Sequence, residues 1–359
     1  MKKDCQAGTM EENNNHLARQ TLTSNDAIDI TKFICSLMVV VIHTKPLLPY
    51  SVMWNVYTAE GLCRIAVPFF FVVSGMFLFR KLSMIQNGDR KSEWDICLHQ
   101  IGKNGRLYLL WSILYFGIDL VKSGISWEIL AEKLRLLLCD ASCYHFWYLL
   151  ALIYAIPLLC LICRWKRSIH VCIIGLGWLY RCLWYAYRWI PGGELIPWST
   201  QYFDAVRNTI FCAIPMMAIG FLCWQDYKRK TQREWFFFVG LCLICNLAEL
   251  TALFLFSPQK VHFEYLLSMP GLVYCLVNWL LNIDFRFHNR CIPKILRMSS
   301  IWIYCSHVAF IVLLGWFHTS AGIRRYVCVM LCLLVSTAIY VWIKQIMGRK
   351  EGRTGLWRE

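Results

Sequence analysis

The chain contains ten apolar segments, each about as long as a helix must be to cross the hydrocarbon core of a bilayer. Apolar residues make up 58% of the sequence and the mean hydropathy is +0.47, far more than a soluble domain needs. Inside a membrane the backbone must satisfy its own hydrogen bonds, so such segments form helices. We therefore predict an all-α polytopic membrane protein with about ten transmembrane helices. The predicted spans are 28–47, 62–79, 106–122, 145–163, 169–188, 207–224, 235–256, 262–282, 299–317 and 325–346.

The distribution of basic residues predicts the orientation of these spans. The net charge of +15 comes from short clusters of Lys and Arg between apolar segments, so it indicates membrane topology and no nucleic-acid partner. With the N-terminus inside, the cytoplasmic segments carry 25 Lys and Arg residues and the outer segments carry nine. Cytoplasmic loops are enriched in this way. We predict a multi-pass protein of the cell membrane with both termini in the cytoplasm.

The remaining segments divide the chain into a membrane domain and two tails. Residues 1–24 are polar and read as a disordered cytoplasmic tail without a cleavable signal peptide. Residues 25–347 form the transmembrane domain, and 348–359 form a basic cytoplasmic tail. Within the domain, 126–138 predicts an amphipathic helix on the outer surface, and 189–204 predicts an outer loop with interfacial aromatic residues.

The cysteines do not predict a disulfide framework or a metal site. Most of the 19 lie within apolar segments, where cysteine packs as a small hydrophobic residue. Two Cys-x-x-Cys pairs, Cys160/Cys163 and Cys242/Cys245, lie inside spans without partnering His or Cys pairs. We interpret both pairs as packing residues and expect no bound metal.

The first span carries a polar stripe that includes ionisable residues. Lys32, Ser36 and His43 follow Asp29 at offsets of 3, 7 and 14, so all four share one helical face. Lys32 and His43 are separated by roughly 16 Å along the helix axis. Because ionisable groups inside a bilayer are costly, this stripe must face protein or a polar cavity.

Two carboxylates lie at a depth similar to that of His43. His43 is roughly 22 Å from the cytoplasmic end of its span, and Asp119 and Glu249 are roughly 20 Å from theirs. A carboxylate that orients an imidazole makes it a better general base, so we predict Glu249 as a catalytic partner of His43. The alternative is that these carboxylates face water or pair with a nearby cation, as Lys122 offers for Asp119.

Three further polar residues inside the spans are candidates for substrate binding. Arg181 lies midway along the fifth span, where it either holds an anionic substrate or neutralises Asp119 or Glu249. His307 is shallower, and an interhelical hydrogen bond is the alternative to a functional role. His145 opens the fourth span beside aromatic residues. A position in the aromatic belt at the membrane interface explains those aromatic residues but not the histidine.

The cytoplasmic end of the bundle predicts a phosphate-binding site. Lys103 and Arg106 precede the third span on the same side of the membrane as Lys32. The enrichment of cytoplasmic loops in basic residues is enough to explain Lys103 and Arg106, but Lys32 lies too deep in its span to be an ordinary loop charge. Three cations can bind phosphates by charge and hydrogen bonding without a Gly-rich loop, and no Walker-type motif is present.

Five motifs occur along about 280 residues of the chain: Ile28-Asp29-x-x-Lys32 with His43, VPFFFVVSG at 67–75, Lys103-x-x-Arg106, His145-Phe-Trp-Tyr-Leu and Tyr304-Cys-Ser-His307. These motifs and their order resemble those of the membrane-bound acyltransferase family 3. One position departs from the family's pattern, because Lys103 stands where the family has an arginine, which weakens any bidentate phosphate contact there. From physics alone, the second motif indicates helix packing or a hinge, through Pro68 and Ser74-Gly75.

The resemblance implies an acyltransferase for groups other than amino-acyl groups. It implies transfer of an acyl group, often acetyl, from cytoplasmic acyl-CoA to a hydroxyl of an extracytoplasmic acceptor. The acceptor would be a cell-surface polysaccharide, a peptidoglycan precursor or a lipid-linked sugar. Acyl-CoA would be the donor substrate rather than a permanent cofactor. His43 would be the essential base, and Lys32, Lys103 and Arg106 would hold the CoA phosphates; the role of Glu249 is our inference from depth alone.

The chain also resembles the membrane half of bacterial membrane-bound serine racemases from vancomycin-resistance clusters. Those proteins continue into a soluble pyridoxal-phosphate racemase domain that has no counterpart in this sequence, so we do not expect racemisation. Transport of serine or a related small solute is the alternative function, with Arg181 and Glu249 lining a midplane site. The sequence shows no paired broken helices or inverted repeat that would favour it.

Overall fold

The computed structural model describes residues 25–85, 89–124, 126–187, 204–257, 263–316 and 322–354. Within these ranges 84% of the residues are helical and no strand occurs. The predicted N-terminal tail and almost all of the 189–204 loop lie outside the described residues. In chain order the main helices are α1 (Asp26–Thr44), α2 (Val52–Ser83), α3 (Arg90–Ser123), α4 (Trp127–Cys139), α5 (Trp147–Ile162), α6 (Arg167–Trp184), α7 (Asp204–Gln225), α8 (Gln232–Phe256), α9 (Met269–Leu281), α10 (Cys291–Trp316) and α11 (Ile323–Thr354).

The prediction of an all-helical membrane protein is confirmed. In the described part of the chain, seven helical segments are long and apolar enough to cross a membrane: α1, α2, the joined α4–α5 segment, α7, α8, α10 and α11. Each of the ten predicted spans overlaps a helix. The count of about ten spans and the cytoplasmic placement of both termini stay predictions. We use "cytoplasmic end" and "outer end" in the sense of that predicted orientation. Helix α11 continues to Thr354, so part of the predicted basic tail is helical.

The predicted amphipathic helix is present as α4. The Oγ of Ser126 caps its first turn by accepting a hydrogen bond from the backbone N–H of Ile129 at 3.2 Å. No residue of α4 is fully buried, and Lys133 pairs with Asp119 of α3. The chain turns at Ala141, with φ of 93°, before α5 begins. Asp119 is therefore an ion-pair partner near the protein surface and does not belong to a buried site.

Helices α2 and α7 are in backbone contact. A Cβ added to Gly75 would lie 2.2 Å from the backbone oxygen of Met217, and one added to Gly220 would lie 2.2 Å from that of Val72. This close approach requires glycine at both positions. For α2, the Ser74-Gly75 pair in the sequence already predicted close helix packing.

The same two helices are irregular at corresponding ends. Each contains a turn of π-helix, Val56–Gly61 in α2 and Thr209–Ala213 in α7. They run parallel, because the Ser83 hydroxyl near the end of α2 accepts a hydrogen bond at 3.0 Å from Trp224 Nε1 near the end of α7. Both π turns therefore lie at the outer end. An Ala-x-Pro sequence recurs at 66–68 and 213–215 and is the signal that sequence reasoning missed.

The cytoplasmic ends of α6, α7 and α9 are joined through the buried side chain of Asp226. It accepts hydrogen bonds from Arg167 at 2.7 and 3.1 Å, from Arg229 at 3.0 Å and from the Tyr274 hydroxyl at 2.5 Å. Burial disfavours the charged carboxylate, but these donors outweigh that effect and lower its pKa below the ordinary value of 3.8.

We expect Asp226→Asn to lower the stability of the protein at neutral pH by about 1–2 kcal/mol, since two of its donors are partly exposed. A lowered folded-state pKa means that the stabilisation is complete above the unfolded-state pKa and is lost as the pH falls through the folded-state value. The variant should therefore lose less stability than the wild type below about pH 4. Thermal unfolding in detergent between pH 3 and 7 measures this, with Asp95→Asn on the exposed face of α3 as control. Equal acid sensitivity of wild type and Asp226→Asn would contradict it.

Candidate active site

A cavity of about 480 Å³ lies between α1, α2, α3, α5, α7 and α10 toward the cytoplasmic end. We call it the basic pocket, because five cationic side chains line it and Asp29 is the one acid among its lining residues. Its deep wall is mostly apolar and includes Val73, Leu152 and Met217. The cations are Lys32, Arg80, Lys81, Lys103 and Arg297.

Asp29 fixes two of these cations in place. Arg297 Nη1 of α10 donates a hydrogen bond to Asp29 Oδ2 at 2.5 Å, and Lys32 Nζ lies 3.9 Å from Asp29 Oδ1. The Lys32 ammonium also lies 5.1 Å from the centre of the Phe77 ring. One carboxylate cannot balance five cations, so the basic pocket favours an anionic ligand.

The structure separates the two basic residues that the third-span motif pairs. Lys103 lines the basic pocket, but Arg106 lies on the exposed face of α3 and its Nε donates to the backbone oxygen of Gly102 at 3.2 Å. In this structure Arg106 does not share the basic pocket with Lys103, so the geometry gives no support to its predicted phosphate contact. Positions three apart on a helix differ by about 60° in direction, and this difference is enough to turn Arg106 out of the pocket. Sequence reasoning missed Arg80, Lys81 and Arg297, which it counted as positive-inside charges.

An aromatic layer closes the inner end of the basic pocket. The hydroxyls of Ser74, which lines the pocket, and Tyr148 are 3.3 Å apart. The Tyr148 ring lies 6.0 Å from the Phe70 ring and 5.7 Å from the Tyr304 ring. We call Phe70, Tyr148 and Tyr304 the aromatic layer.

Three histidines meet on the far side of the aromatic layer. The ring of His43, near the end of α1, stacks on that of His307 from α10 with centroids 5.2 Å apart. His145, from the short 3₁₀ turn before α5, lies 5.0 Å from His307 and 5.9 Å from Tyr304. Tyr144 lies 5.0 Å from His43. The structure thus brings together three histidines that the sequence treated as separate candidates.

The hydrogen bonds in this histidine cluster show which ring nitrogens are free to accept a proton. His307 Nδ1 lies 3.1 and 2.8 Å from the backbone oxygens of Ile303 and Tyr304, so Nδ1 carries a proton and Nε2, which has no partner, is an acceptor. Neither ring nitrogen of His145 makes a hydrogen bond of good geometry, although the backbone of Cys305 lies close to one of them.

The His43 ring has no hydrogen-bond partner among the described residues and remains partly exposed. Across the same ranges, no group of three or more His, Cys, Asp or Glu side chains is arranged to hold a metal ion. In its neutral form each imidazole of the cluster has one unprotonated nitrogen, which can accept a proton from a substrate.

Glu249 is not part of the histidine cluster. Its carboxylate accepts hydrogen bonds from the backbone N–H groups of Leu267 at 2.5 Å and Ser268 at 2.9 Å, and from the Tyr187 hydroxyl. The predicted pairing of Glu249 with His43 is therefore not formed. The prediction used only the depth of Glu249 along its helix, which says nothing about the direction of the side chain. Helix α8 packs mainly against α9, so Glu249 bonds to the residues just before α9.

A chain of ion pairs lies at the outer end next to His43. Lys45, two residues after His43, lies 2.6 Å from Glu60 in the π turn of α2. Glu60 also pairs with Arg64 at 2.5 Å, and Arg64 pairs with Glu264 at 2.9 Å. We call these four residues the outer ion-pair chain. Sequence reasoning missed it, because Lys45 and Glu264 are distant in sequence from the Glu60–Arg64 pair and all four residues lie at span ends.

Arg181 lies near the outer end of α6, buried and apart from the histidine cluster. Its Nη2 donates to Asn208 Oδ1 at 2.6 Å and to the Tyr265 hydroxyl at 2.8 Å. Neither Asp119 nor Glu249 neutralises it, since both have other partners.

These features define a helical membrane protein in which a basic pocket and a buried histidine cluster share the interior of one bundle. The acyltransferase-3 family model, described as an acyltransferase domain, matches residues 25–346, and the chain belongs to this family. Membership supports a membrane acyltransferase and agrees with the resemblance carried by the five motifs.

Similar curated proteins carry racemase names. The chain is 27% identical over 297 residues to a serine/alanine racemase of Enterococcus gallinarum, a match spanning 79% of this chain and 40% of that protein. It is 26% identical over 301 residues to an amino-acid racemase of Enterococcus faecalis, spanning 78% of this chain and 39% of that protein. The chain therefore spans well under half the length of these relatives. No solved structure matches it significantly.

Proposed function

We propose that the protein is an integral membrane O-acyltransferase. It would move an acyl group, with acetyl as the proposed group, from cytoplasmic acyl-CoA to a hydroxyl of an extracytoplasmic cell-envelope glycan or lipid-linked sugar. The observation that carries this proposal is the placement of the basic pocket and the histidine cluster on opposite sides of the aromatic layer. A donor entering from one side and an acceptor from the other would meet at the histidines.

The basic pocket suits the charged part of acyl-CoA. Lys32 and Lys103 are the members predicted to hold its phosphates, and Arg80, Lys81 and Arg297 add to the positive field. The apolar wall along Val73 and Leu152 would accommodate the uncharged pantetheine arm. For the thioester to reach the histidines, Tyr148 must move away from Ser74, because their hydroxyls close the pocket's inner end.

His43 would act as the general base. It would accept the proton of the acceptor hydroxyl while the hydroxyl oxygen attacks the thioester carbonyl, so that a C–O bond forms and the C–S bond breaks. The leaving CoA thiolate then takes up a proton. His307 and His145 would flank the reacting groups. Sequential kinetics would identify direct transfer, and ping-pong kinetics would identify a covalent acyl intermediate.

We expect acetyl-CoA to bind the purified protein in nanodiscs, and Lys103→Ala to weaken that binding about tenfold or more, because a charge-assisted hydrogen bond to phosphate is lost. Lys32→Ala should behave in the same way. Arg106→Ala is the matched control, since Arg106 is one turn away on the same helix but outside the basic pocket. Titration calorimetry measures all four proteins. Unchanged affinity in both lysine variants, or absence of binding to folded wild type, would contradict the proposed donor site.

Transport of serine or a related small solute is the second candidate function. The relatives' names refer to serine, alanine and amino acids, and α2 and α7, which are in contact, each contain a π turn near the outer end. Buried Arg181 would then face the solute's carboxylate. Serine uptake into proteoliposomes that needs Arg181 and ignores acyl-CoA would favour transport, and uptake no greater than in empty liposomes would exclude it.

A further inference from the structure

Arg181 is a buried cation that has no counter-charge among the residues the structure describes. Arg181 is only 2% exposed to solvent. Its guanidinium lies between the rings of Tyr185 and Tyr265, at 4.4 and 4.3 Å from their centroids. Nη2 makes its two hydrogen bonds to neutral acceptors, while Nε and Nη1 have none. No carboxylate of the described residues pairs with it.

Other arginines of the bundle show what the fold normally supplies. Arg167 lies on the same helix and pairs with Asp226 at 2.7 Å, Arg297 pairs with Asp29 at 2.5 Å, and Arg64 pairs with two glutamates. Burying a cation without an anion is costly, and an arginine cannot escape the cost by losing its proton. The C-terminal end of α6 offers only about half a negative charge. Within the described part of the chain, the site therefore holds a cation with no anionic partner.

Arg181 lies far from the basic pocket, so an anion that binds to it is distinct from the CoA phosphates proposed for that pocket. Arg167 begins α6 at the end where Asp226 joins α6 to α7. Arg181 follows it by fourteen residues, so it lies roughly 21 Å along the helix toward the outer end. The basic pocket lies toward the opposite, cytoplasmic end of the bundle.

The outer ion-pair chain connects this site with the histidine cluster. Tyr265, which accepts a hydrogen bond from Arg181, directly follows Glu264, the last member of that chain, and Lys45 at its other end follows His43 by two residues. A π turn lies at each of the two features: Glu60 of the outer ion-pair chain lies within one, and Asn208 of the Arg181 site directly precedes the other. Such turns are frequent at functional sites.

We propose that Arg181, with Asn208 and Tyr265, binds a small oxyanion, either a carboxylate or a phosphate group, and that this anion is part of the acceptor. The planar guanidinium suits both groups, since each presents several oxygens to N–H donors. The identity of the anion as part of the acceptor rests on the acyl-transfer function proposed above; the anion site itself does not. An acceptor held there would be anchored at its charged group while its hydroxyl approaches His43.

The test measures thermal unfolding in nanodiscs without CoA, with sodium acetate or inorganic phosphate titrated against chloride at constant ionic strength. In wild type we expect one of the two anions to raise the unfolding temperature saturably. In Arg181→Gln this response should disappear, and the anion-free variant should be as stable as wild type or more stable, because a buried charge has been removed. Arg181→Lys keeps the charge but loses the fork and should bind the anion about tenfold more weakly.

Arg167→Gln is the control, since it breaks an ion pair on the same helix and should lose stability equally with and without the anion. If Arg181→Gln is destabilised in the same anion-independent way, Arg181 is a structural residue and the proposal is wrong. A response to acetate alone indicates a carboxylate, and a response to phosphate alone indicates a phosphate. Acetyl-CoA binding, measured on the same samples, should be normal in Arg181→Gln. Failure of wild type to bind acetyl-CoA would overturn acyl transfer but leave the anion response intact.

Discussion

Replacing His43 by alanine is expected to lower acyl transfer by about 10²–10⁴-fold, the usual contribution of a general base. The structure supports this expectation because the His43 ring has no hydrogen-bond partner among the described residues and stacks on His307 beside the aromatic layer. Everted membrane vesicles give the measurement: radiolabelled acetyl-CoA is added outside, and label is counted in cell-envelope material.

The variant should still bind acetyl-CoA with wild-type affinity, because His43 lies on the far side of the aromatic layer from the basic pocket. His170→Ala is a suitable control. His170 is a fully buried imidazole on α6 that packs on Phe79 and Phe221, away from the cluster, so its loss should leave the transfer rate per folded molecule unchanged. Full transfer by folded His43→Ala would remove the histidine cluster from the chemistry.

Gly220→Ala is expected to give the largest loss of stability, about 3 kcal/mol or more, at the upper end of the cost of overpacking. The added methyl group would meet the backbone oxygen of Val72 at 2.2 Å and the backbone nitrogen of Met76 at 2.4 Å. Backbone atoms cannot rotate away as a side chain can, so α2 and α7 must separate. Loss of monodisperse protein after heating in detergent measures the effect.

Gly105→Ala on α3 provides the control, because no atom lies within 4 Å of the added Cβ. It should leave stability unchanged or raise it by up to about 1 kcal/mol, through the better helix propensity of alanine. Separation of α2 from α7 should also weaken acetyl-CoA binding, since Ser74 and Met217 on the two helices line the basic pocket. Wild-type stability of Gly220→Ala would show that the two backbones do not meet in the membrane.

Both the basic pocket and the outer end of the candidate site are built partly from α2 and α7, so both depend on the contact between these two helices. α2 contributes Arg80 and Lys81 to the basic pocket at one end and Glu60 to the outer ion-pair chain at the other. α7 contributes Met217 to the pocket and Asn208 to the Arg181 site. A rigid glycine contact between π-interrupted helices would therefore keep a donor site and an acceptor site in one geometry, while their outer turns remain irregular.

The sequence by itself determined the helical class, the approximate positions of the helices, and the polar stripe that carries Lys32 and His43. Hydropathy and helical periodicity act along one segment at a time, and these features depend on nothing else. The same reasoning identified His145 and His307 as individual candidates and Gly75 as a point of close approach.

Only the tertiary structure decided which of these residues meet. It brought His145 and His307 to His43, turned Arg106 away from the basic pocket and gave Glu249 other partners. It also left Arg181 without a counter-charge among the described residues. Position in a span determines depth, but contact also requires the rotation of each helix and the identity of its neighbours. Those are set by packing between distant segments, such as the approach of Gly75 and Gly220, which no local pattern encodes.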